Sequence, residues 1–493
     1  MKLRKATAVV LGMSLAASMA AGCAGSSTAP EETKNQDTAQ VQKTEVQKVG
    51  NSDEKIKLVF AQDLDTNEHA NEVVNAIIDE YEEKAGVEIQ FEALPSADYR
   101  TWLTTQFAAG KGPDVYTGII YDLSTDYDSG YLYNFKDLYE KESAYDAGKD
   151  WKDTLPESIL ERMYLTENDV PGYPSSTSVV RIFYNKTAFE QAGAKVPETW
   201  AEFMDACQKL KDSGITPFGF PNATIADLSW LWFNNSISGQ LNSSLVDELD
   251  VSGNGYVELQ EIAKGVDEGK IDFTKPELIK GFELMKDFSQ YWTSDYNGLD
   301  QKTAIQMFER GEVAMVQAMS INLADIEAVV GDSFEYGVMP IPVITKETAD
   351  TALGKSIILG GQPDIIYAVN KDLENDEARL NAAIDFCQYM SSPEVQVRLA
   401  EEICRIPLTT SAQLPDNLAG FTIVEEPLRM PYYTGINEKL RNYFQRAGQD
   451  FLSDGIDVNE LGETMNSAYT EVLGEIMAEN GWSADNNYGM ETK

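Results

Sequence analysis

One histidine, His69, stands in a chain of 493 residues. A single imidazole leaves no His-rich zinc site. Its place at a predicted helix start makes it a surface residue rather than the base of a Ser–His–Asp triad. Cysteine is almost as scarce, with four in all. Cys23 belongs to the N-terminal segment, and the other three cannot build a full disulfide framework. Cys207 and Cys387 fall on apolar helix faces and read as core, and one bridge between Cys387 and Cys404 stays open. Basic side chains are few: 39 against 81 acidic, a net charge of −42. Nucleic acid and anionic lipid surfaces are therefore poor partners. There is no Walker loop, so the chain does not itself hydrolyse ATP. After the first 23 residues no apolar run reaches the roughly 20 residues that span a bilayer.

What is present begins with a targeting segment. Lys2, Arg4 and Lys5 precede an apolar run from Ala6 to Ala17, and Ala20-Ala21-Gly22-Cys23 looks like a lipobox. Residues 1–22 then read as a lipoprotein signal peptide, with diacylglycerol on Cys23; a plain secretory signal is the alternative. Two acyl chains give stable anchoring where one is marginal. Residues 23–53 carry almost no large apolar side chain and read as a flexible tether. The rest is too long for a single core, so two or more domains are expected.

From Ile56 the pattern alternates strand and helix. Ile56, Leu58 and Phe60 start a strand, Val74, Ile77, Ile78 and Tyr81 fall at helical spacing, and Val87, Ile89 and Phe91 alternate again. A second helix ends near Gly110, and a third strand runs from Val115 to Ile120. This order predicts a parallel sheet flanked by helices. Ligands of open α/β sheets sit beyond the carboxyl ends of strands, which nominates Gln62, Asp63 and Asp65 after the first strand and Tyr121 and Asp122 after the third. Further on, Pro171, Gly172 and Pro174 break regular structure, and Val179, Val180, Ile182 and Phe183 form a buried strand. A short helix then ends near Gly193, and Thr199 with Glu202 makes a capping box for the next.

Gly172, Tyr173 and Pro174, then Tyr184, Asn185, Lys186, Phe189, Ala192 and Gly193, then Pro197, Thr199, Trp200, Glu202 and Phe203 stand in the order of a family motif. So do Ala108, Ala109, Gly110, Pro113, Asp114 and Val115. On these residues the chain resembles the family 1 extracellular solute-binding proteins of ABC importers, especially the carbohydrate binders, over most of its length from about Lys55 to Glu475. The resemblance implies an α/β, two-lobe periplasmic-binding-protein-like (type II) fold with a hinge between the lobes. The N-terminal lobe is expected from residues 54–168 plus about 340–404. The C-terminal lobe is expected from residues 172–335 plus about 408–480, with a frayed tail at 481–493. Crossings are expected near Pro171–Pro174, Tyr336–Pro342 and Arg405–Pro407. The implied partners are a carbohydrate ligand and ABC permease subunits. The chain is expected as a monomer outside the cytoplasmic membrane, attached only through its lipid anchor. Met319 and Ile321 replace the glycine and tryptophan that follow the "F-x-x-G-x-x-A-M" strand in many sugar binders, so that stacking role is not carried over.

Aromatic side chains supply the other ligand candidates. Trp230-Leu231-Trp232-Phe233 is the densest aromatic cluster, and a flat indole can cover the apolar face of a sugar. Residues two apart on a helix diverge, so one of Trp230 and Trp232 is expected to touch ligand. Tyr173, Trp292, Gly361 and Arg405 complete the ligand set. The run Asp250 to Glu261 fits a calcium loop, with Asp250, Ser252, Asn254, Tyr256 (through its carbonyl) and Glu261 at ligand positions and Gly255 at the turn. It makes a structural calcium ion a candidate; a polar surface turn is the other reading. No catalytic cofactor is expected. Asp126 with Asp128 and Glu401 with Glu402 could serve glycoside hydrolysis, though neighbouring acids of this kind are usually solvated. The readings in competition are therefore a carbohydrate-binding receptor, a binder of a peptide or polyamine, and a secreted glycosidase.

Overall fold

The computed structural model describes residues 55–64, 68–224, 229–433 and 436–490. The signal segment, Cys23, the tether and Asp65 lie outside the described residues. Among these no helix is long and apolar enough to cross a membrane.

Nine strands form the sheet of the described residues. They are β1 (Lys57–Asp63), β2 (Glu88–Leu94), β3 (Val115–Gly118), β4 (Tyr173–Asn185), β5 (Thr216–Gly219), β6 (Val313–Met319), β7 (Tyr336–Met339), β8 (Gly360–Val369) and β9 (Ile406–Pro407). The order is β2-β1-β3-β8-β4-β6-β5, with β7 and β9 also paired to β4. As expected, β1, β2 and β3 are parallel, each separated by a helix. β8 returns antiparallel to β3, with Gly118 opposite Ile366.

The centre of the architecture is β4. All 13 of its residues are buried, which suits the β-branched and aromatic run at Val179–Phe183. Its first half pairs with β8 and its second half with β6 and β7. One strand thus belongs to both halves of the molecule. Pro174 lies within it rather than in a loop, at one of three register shifts between Pro174 and Val179. A proline without an N–H is tolerated in a sheet at such an irregularity.

Three apolar cores pack on this frame. The first joins β1, β3 and the end of β8 to the helices Glu68–Ala85 and Glu377–Met390, around Phe60, Tyr81, Tyr116, Tyr367 and Phe386. The second, largest core holds the helices Trp200–Asp212, Ser229–Leu241, Pro276–Ser289, Glu438–Leu452 and Val458–Asn480. A third, smaller core gathers Val179, Phe183, Phe308, Val316, Ile326 and Phe421. The local signals held: Gly193 caps its helix at φ 63°, and the Thr199–Glu202 capping box forms. All three described cysteines are free and buried.

Two expectations are corrected. Ile341, Ile344, Ala352 and Leu359 pack in the second core, so the stretch from 340 to 359 belongs with the C-terminal lobe. The return to the first core comes at Ile365. The tail does not fray before residue 490: Tyr488 is buried and donates its hydroxyl hydrogen to Asp267 at 2.6 Å, on the helix Leu259–Asp267.

Candidate functional site

Strand direction locates the cleft. β3 runs with its carboxyl end toward Ile366, on the Gly360 side of β8, and β1 is parallel to it. β6 runs antiparallel to β4 and ends with Met319 opposite Val180, beside the crossing; β5 is parallel to β6. The parallel strands of both lobes therefore aim their carboxyl ends at the same place, the middle of β4. That is where ligands of open α/β sheets are held.

The floor of this place is the crossing itself. Thr177 and Ser176 pair with Ile406 and Pro407 of β9, and Val179 pairs with Gly360 of β8. Gly360 and Gly361 have φ of 76° and 74°. A Cβ on Gly360 would stand 2.3 Å from the Ser178 carbonyl oxygen, so only glycine fits there. Cys404, just before β9, is also left-handed at φ 55°. Its thiol is pushed up to about 11 by burial, so it stays protonated at neutral pH.

Several expected side chains do meet at the floor. Arg405 pairs with Asp364 at 2.9 Å, and Ser178 donates to the same carboxylate at 2.5 Å. Gln62 and Arg405 line one small cavity of about 10 Å³, with Ser176 and Tyr367. It is about the size of one water molecule. Gln62 Oε1 and Asp364 Oδ1 are buried and accept no hydrogen bond among the described residues. Asp63 accepts from Ser96 at 2.6 Å. Tyr121 lies in the first turn of the helix Ile120–Asp128, just after β3, and is 62% exposed. Asp122 lies 3.7 Å from Arg100; burial raises its carboxyl, the Arg100 charge opposes that, and the Asp126 charge adds to it.

The other aromatic candidates are packed inside. Trp230 is fully buried against Phe444, ring centroids 5.4 Å apart, and a Cβ on Gly448 would lie 2.3 Å from its Nε1. Trp232, two positions on, is half-buried against the same core. Trp292 stacks on Phe220 at 3.7 Å and 4°. Tyr173 is buried, stacked on Trp151 at 4.3 Å, and its hydroxyl meets Thr154. For Trp230, Trp292 and Tyr173 the ligand-contact expectation is corrected: their rings are already covered by protein. His69 is exposed, and Asp126 is held by Arg100 at 2.7 Å and Tyr116 at 2.7 Å.

The Asp250–Glu261 turn, expected as a candidate calcium loop, is held together by protein donors. Asp250 accepts from the backbone N–H groups of Gly253 at 2.8 Å and Gly255 at 3.0 Å. Glu261 accepts from those of Ser252 at 2.7 Å and Glu258 at 2.8 Å. Arg429 reaches Asp247 at 2.5 Å and Asp250 at 3.3 Å, and donates to the Gly255 carbonyl at 2.7 Å. Donors thus occupy the oxygens that a cation would need. No group of three His, Cys, Asp or Glu side chains among the described residues could hold a metal. Arg429→Ala should cost about 1 kcal/mol, since the Asp250 carboxylate loses its partner. Melting curves should be the same with excess calcium and with chelator.

A cavity of about 440 Å³ is remote from these groups. It lies between Asp272 and the helix Val458–Asn480, lined by Thr274, Glu463, Asn466 and Thr470. Asp272 there is already satisfied by Thr274 at 2.6 Å and Asn466 at 2.7 Å, whereas the cleft floor carries unpaired polar atoms. The cleft is therefore the candidate site.

Residues 76–423 match the family described as bacterial extracellular solute-binding protein. The chain is 27% identical over 243 residues to the sn-glycerol-3-phosphate-binding periplasmic protein UgpB of Brucella abortus, covering 49% of each. It is 25% identical over 276 residues to the protein of that name from Agrobacterium fabrum, covering 55% of this chain and 56% of the other. The chain spans about half the length of the curated relatives it matches. Among solved structures it is similar to a chitin oligosaccharide binding protein, with TM-score 0.64 and 18% identity over 85% of this chain and 99% of that one. It is also similar to RafE in complex with raffinose, with TM-score 0.62 and 19% identity over 85% and 100%. At such identities the likeness is one of fold, the two-lobe arrangement built here on β4. Family match and fold agree on a solute binder rather than an enzyme, and the chain belongs to the bacterial extracellular solute-binding proteins.

Proposed function

We propose that the protein captures a carbohydrate in the cleft over β4 and presents it to the permease of an ABC importer. It would do so as a monomer held outside the cytoplasmic membrane by diacylglycerol on Cys23, with residues 23–53 as a tether. The observation that carries this reading is Tyr121. A ring 62% exposed just after β3 can serve as a platform, while Gln62, Asp364 and Arg405 at the crossing can address hydroxyls. One net hydrogen bond is worth about 0.5–1.5 kcal/mol, whereas micromolar binding needs about 8 kcal/mol. Several polar contacts and an aromatic face must therefore combine. The names of the structural neighbours, binders of chitin oligosaccharide and raffinose, support the same substrate class.

The name of the curated relatives favours a second reading, sn-glycerol 3-phosphate. The local charge speaks against it: Arg405 is already paired with Asp364, and a net charge of −42 repels anions. Calorimetric titration should show binding to a neutral oligosaccharide from a panel, and none to sn-glycerol 3-phosphate or a polyamine. Tyr121→Ala should weaken that binding about tenfold. Its melting temperature should not move, because surface substitutions stay within about 0.5 kcal/mol. Binding of the phosphate ester alone would replace the carbohydrate reading with the second one.

A further inference from the structure

The turn that resembles a calcium loop presents one side chain to the opposite lobe. Gly253 and Gly255 have φ of 71° and 90°, and their N–H groups are tied to Asp250. Arg429 fixes the carbonyl of Gly255 from below, and Asn254 accepts from the N–H of Tyr256 at 2.8 Å. Tyr256 is thus carried on a backbone with few free torsions. Its ring is covered by the guanidinium of Arg162, whose central carbon lies 4.1 Å from the ring centroid. Arg162 belongs to the helix Glu157–Met163, which is anchored in the first core through Met163. Tyr256 stands just before Val257, which is buried in the second core. The stack therefore bridges the two lobes. It does so beside the candidate site, since Arg162 and Glu258 both act on the hydroxyl of Tyr121, which burial and the Glu258 charge raise and the Arg162 charge lowers.

We propose that Arg162 and Tyr256 form a latch between the lobes, a pair of positioning residues that favours the closed molecule without touching solute. The inference rests on the proposed capture of a solute in the cleft, with the two lobes hinged at the shared strand β4 and closing over it. Only a contact made better in the closed form than in the open one can shift the balance between them. A ring–guanidinium stack at a half-exposed site multiplies the closed population about 2- to 10-fold. That is enough to tighten solute binding, and too little to lock an empty receptor shut.

The test uses the empty protein, so its outcome does not depend on which solute binds. Small-angle scattering should be recorded for wild type, Arg162→Gln, Tyr256→Leu and Tyr256→Phe. A folded chain of this length has a radius of gyration of about 23 Å, and an opened cleft should add on the order of 1 Å. Arg162→Gln and Tyr256→Leu should both show the increase. Tyr256→Phe, which keeps the ring face, should match wild type. The double variant Arg162→Gln/Tyr256→Leu should open no further than either single one, because both remove the same contact. Unchanged melting temperatures would separate opening from unfolding. Superimposable scattering from wild type, Arg162→Gln and Tyr256→Leu would overturn the latch. If no sugar binds in calorimetry while the scattering shifts as described, the carbohydrate reading falls and the latch stands.

Discussion

Glu425→Ala is expected to destabilise the protein by about 3–5 kcal/mol. Glu425 and Arg181 form an ion pair at 2.8 Å with both side chains 2% exposed. Arg181 lies on β4 and is otherwise satisfied by carbonyl oxygens, of Gly420 at 3.1 Å, Thr422 at 3.1 Å and Val180 at 3.1 Å. Burial lowers the proton affinity of this guanidinium, and the Glu425 charge raises it again. Removing the carboxylate leaves a buried cation with neutral dipoles alone. It also frees the segment after Gly420, which Arg181 holds against the crossing strand. Replacing both partners, Arg181→Met with Glu425→Leu, should recover most of the loss, because the desolvation cost of both charges disappears together. Calorimetric unfolding of the two variants checks the pair. A single variant as stable as wild type would show that the pair is not buried.

Trp230→Ala should cost a similar amount, about 3–5 kcal/mol, through the cavity that it opens between the helices Ser229–Leu241 and Glu438–Leu452. Phe444 and Gly448 would lose the surface they pack against. Trp230→Phe should keep most of the stability: its ring still fills the site, and it sheds an indole N–H that has no acceptor among the described residues. Neither change should alter solute affinity in the folded fraction. This separates a packed ring from a stacking platform, since loss of a platform weakens binding and leaves the melting temperature alone. Chemical denaturation beside sugar titration reads both quantities; a large affinity loss at unchanged stability would return Trp230 to the ligand set.

These contrasts show what a sequence can reveal. The helix cap at Thr199 and Glu202, the turn at Gly193 and the buried run at Val179–Phe183 depend on residues within a few positions of each other, and all three were legible. The crossings were marked only roughly: Pro174 lies within β4 rather than in a loop, and the chain returns to the first core at Ile365 rather than near Tyr336–Pro342. Aromatic rings were not. Tryptophan suits a core and a sugar equally, and only the closure of the helices Ser229–Leu241 and Glu438–Leu452 on one another decided for the core at Trp230. In the Asp250–Glu261 turn the acid spacing is that of a metal loop. Arg429, far along the chain, supplies the cation instead. Partners so distant leave no periodic trace. The role of Tyr256 was missed for the same reason, since Arg162 lies on another lobe.

The shared strand has a consequence for how the chain acquires its shape. β3 is completed by β8, so Tyr116 meets Ala368 only after some two hundred and fifty intervening residues exist. Neither half is a continuous stretch that can finish folding while the other is still being made. Long-range pairing of this kind slows the search and exposes unpaired edges meanwhile. A nascent chain halted before β8 would present the edge of β3 and the apolar face of β4 uncovered, a state suited to holdase binding and to passage as an extended polypeptide rather than as a finished domain.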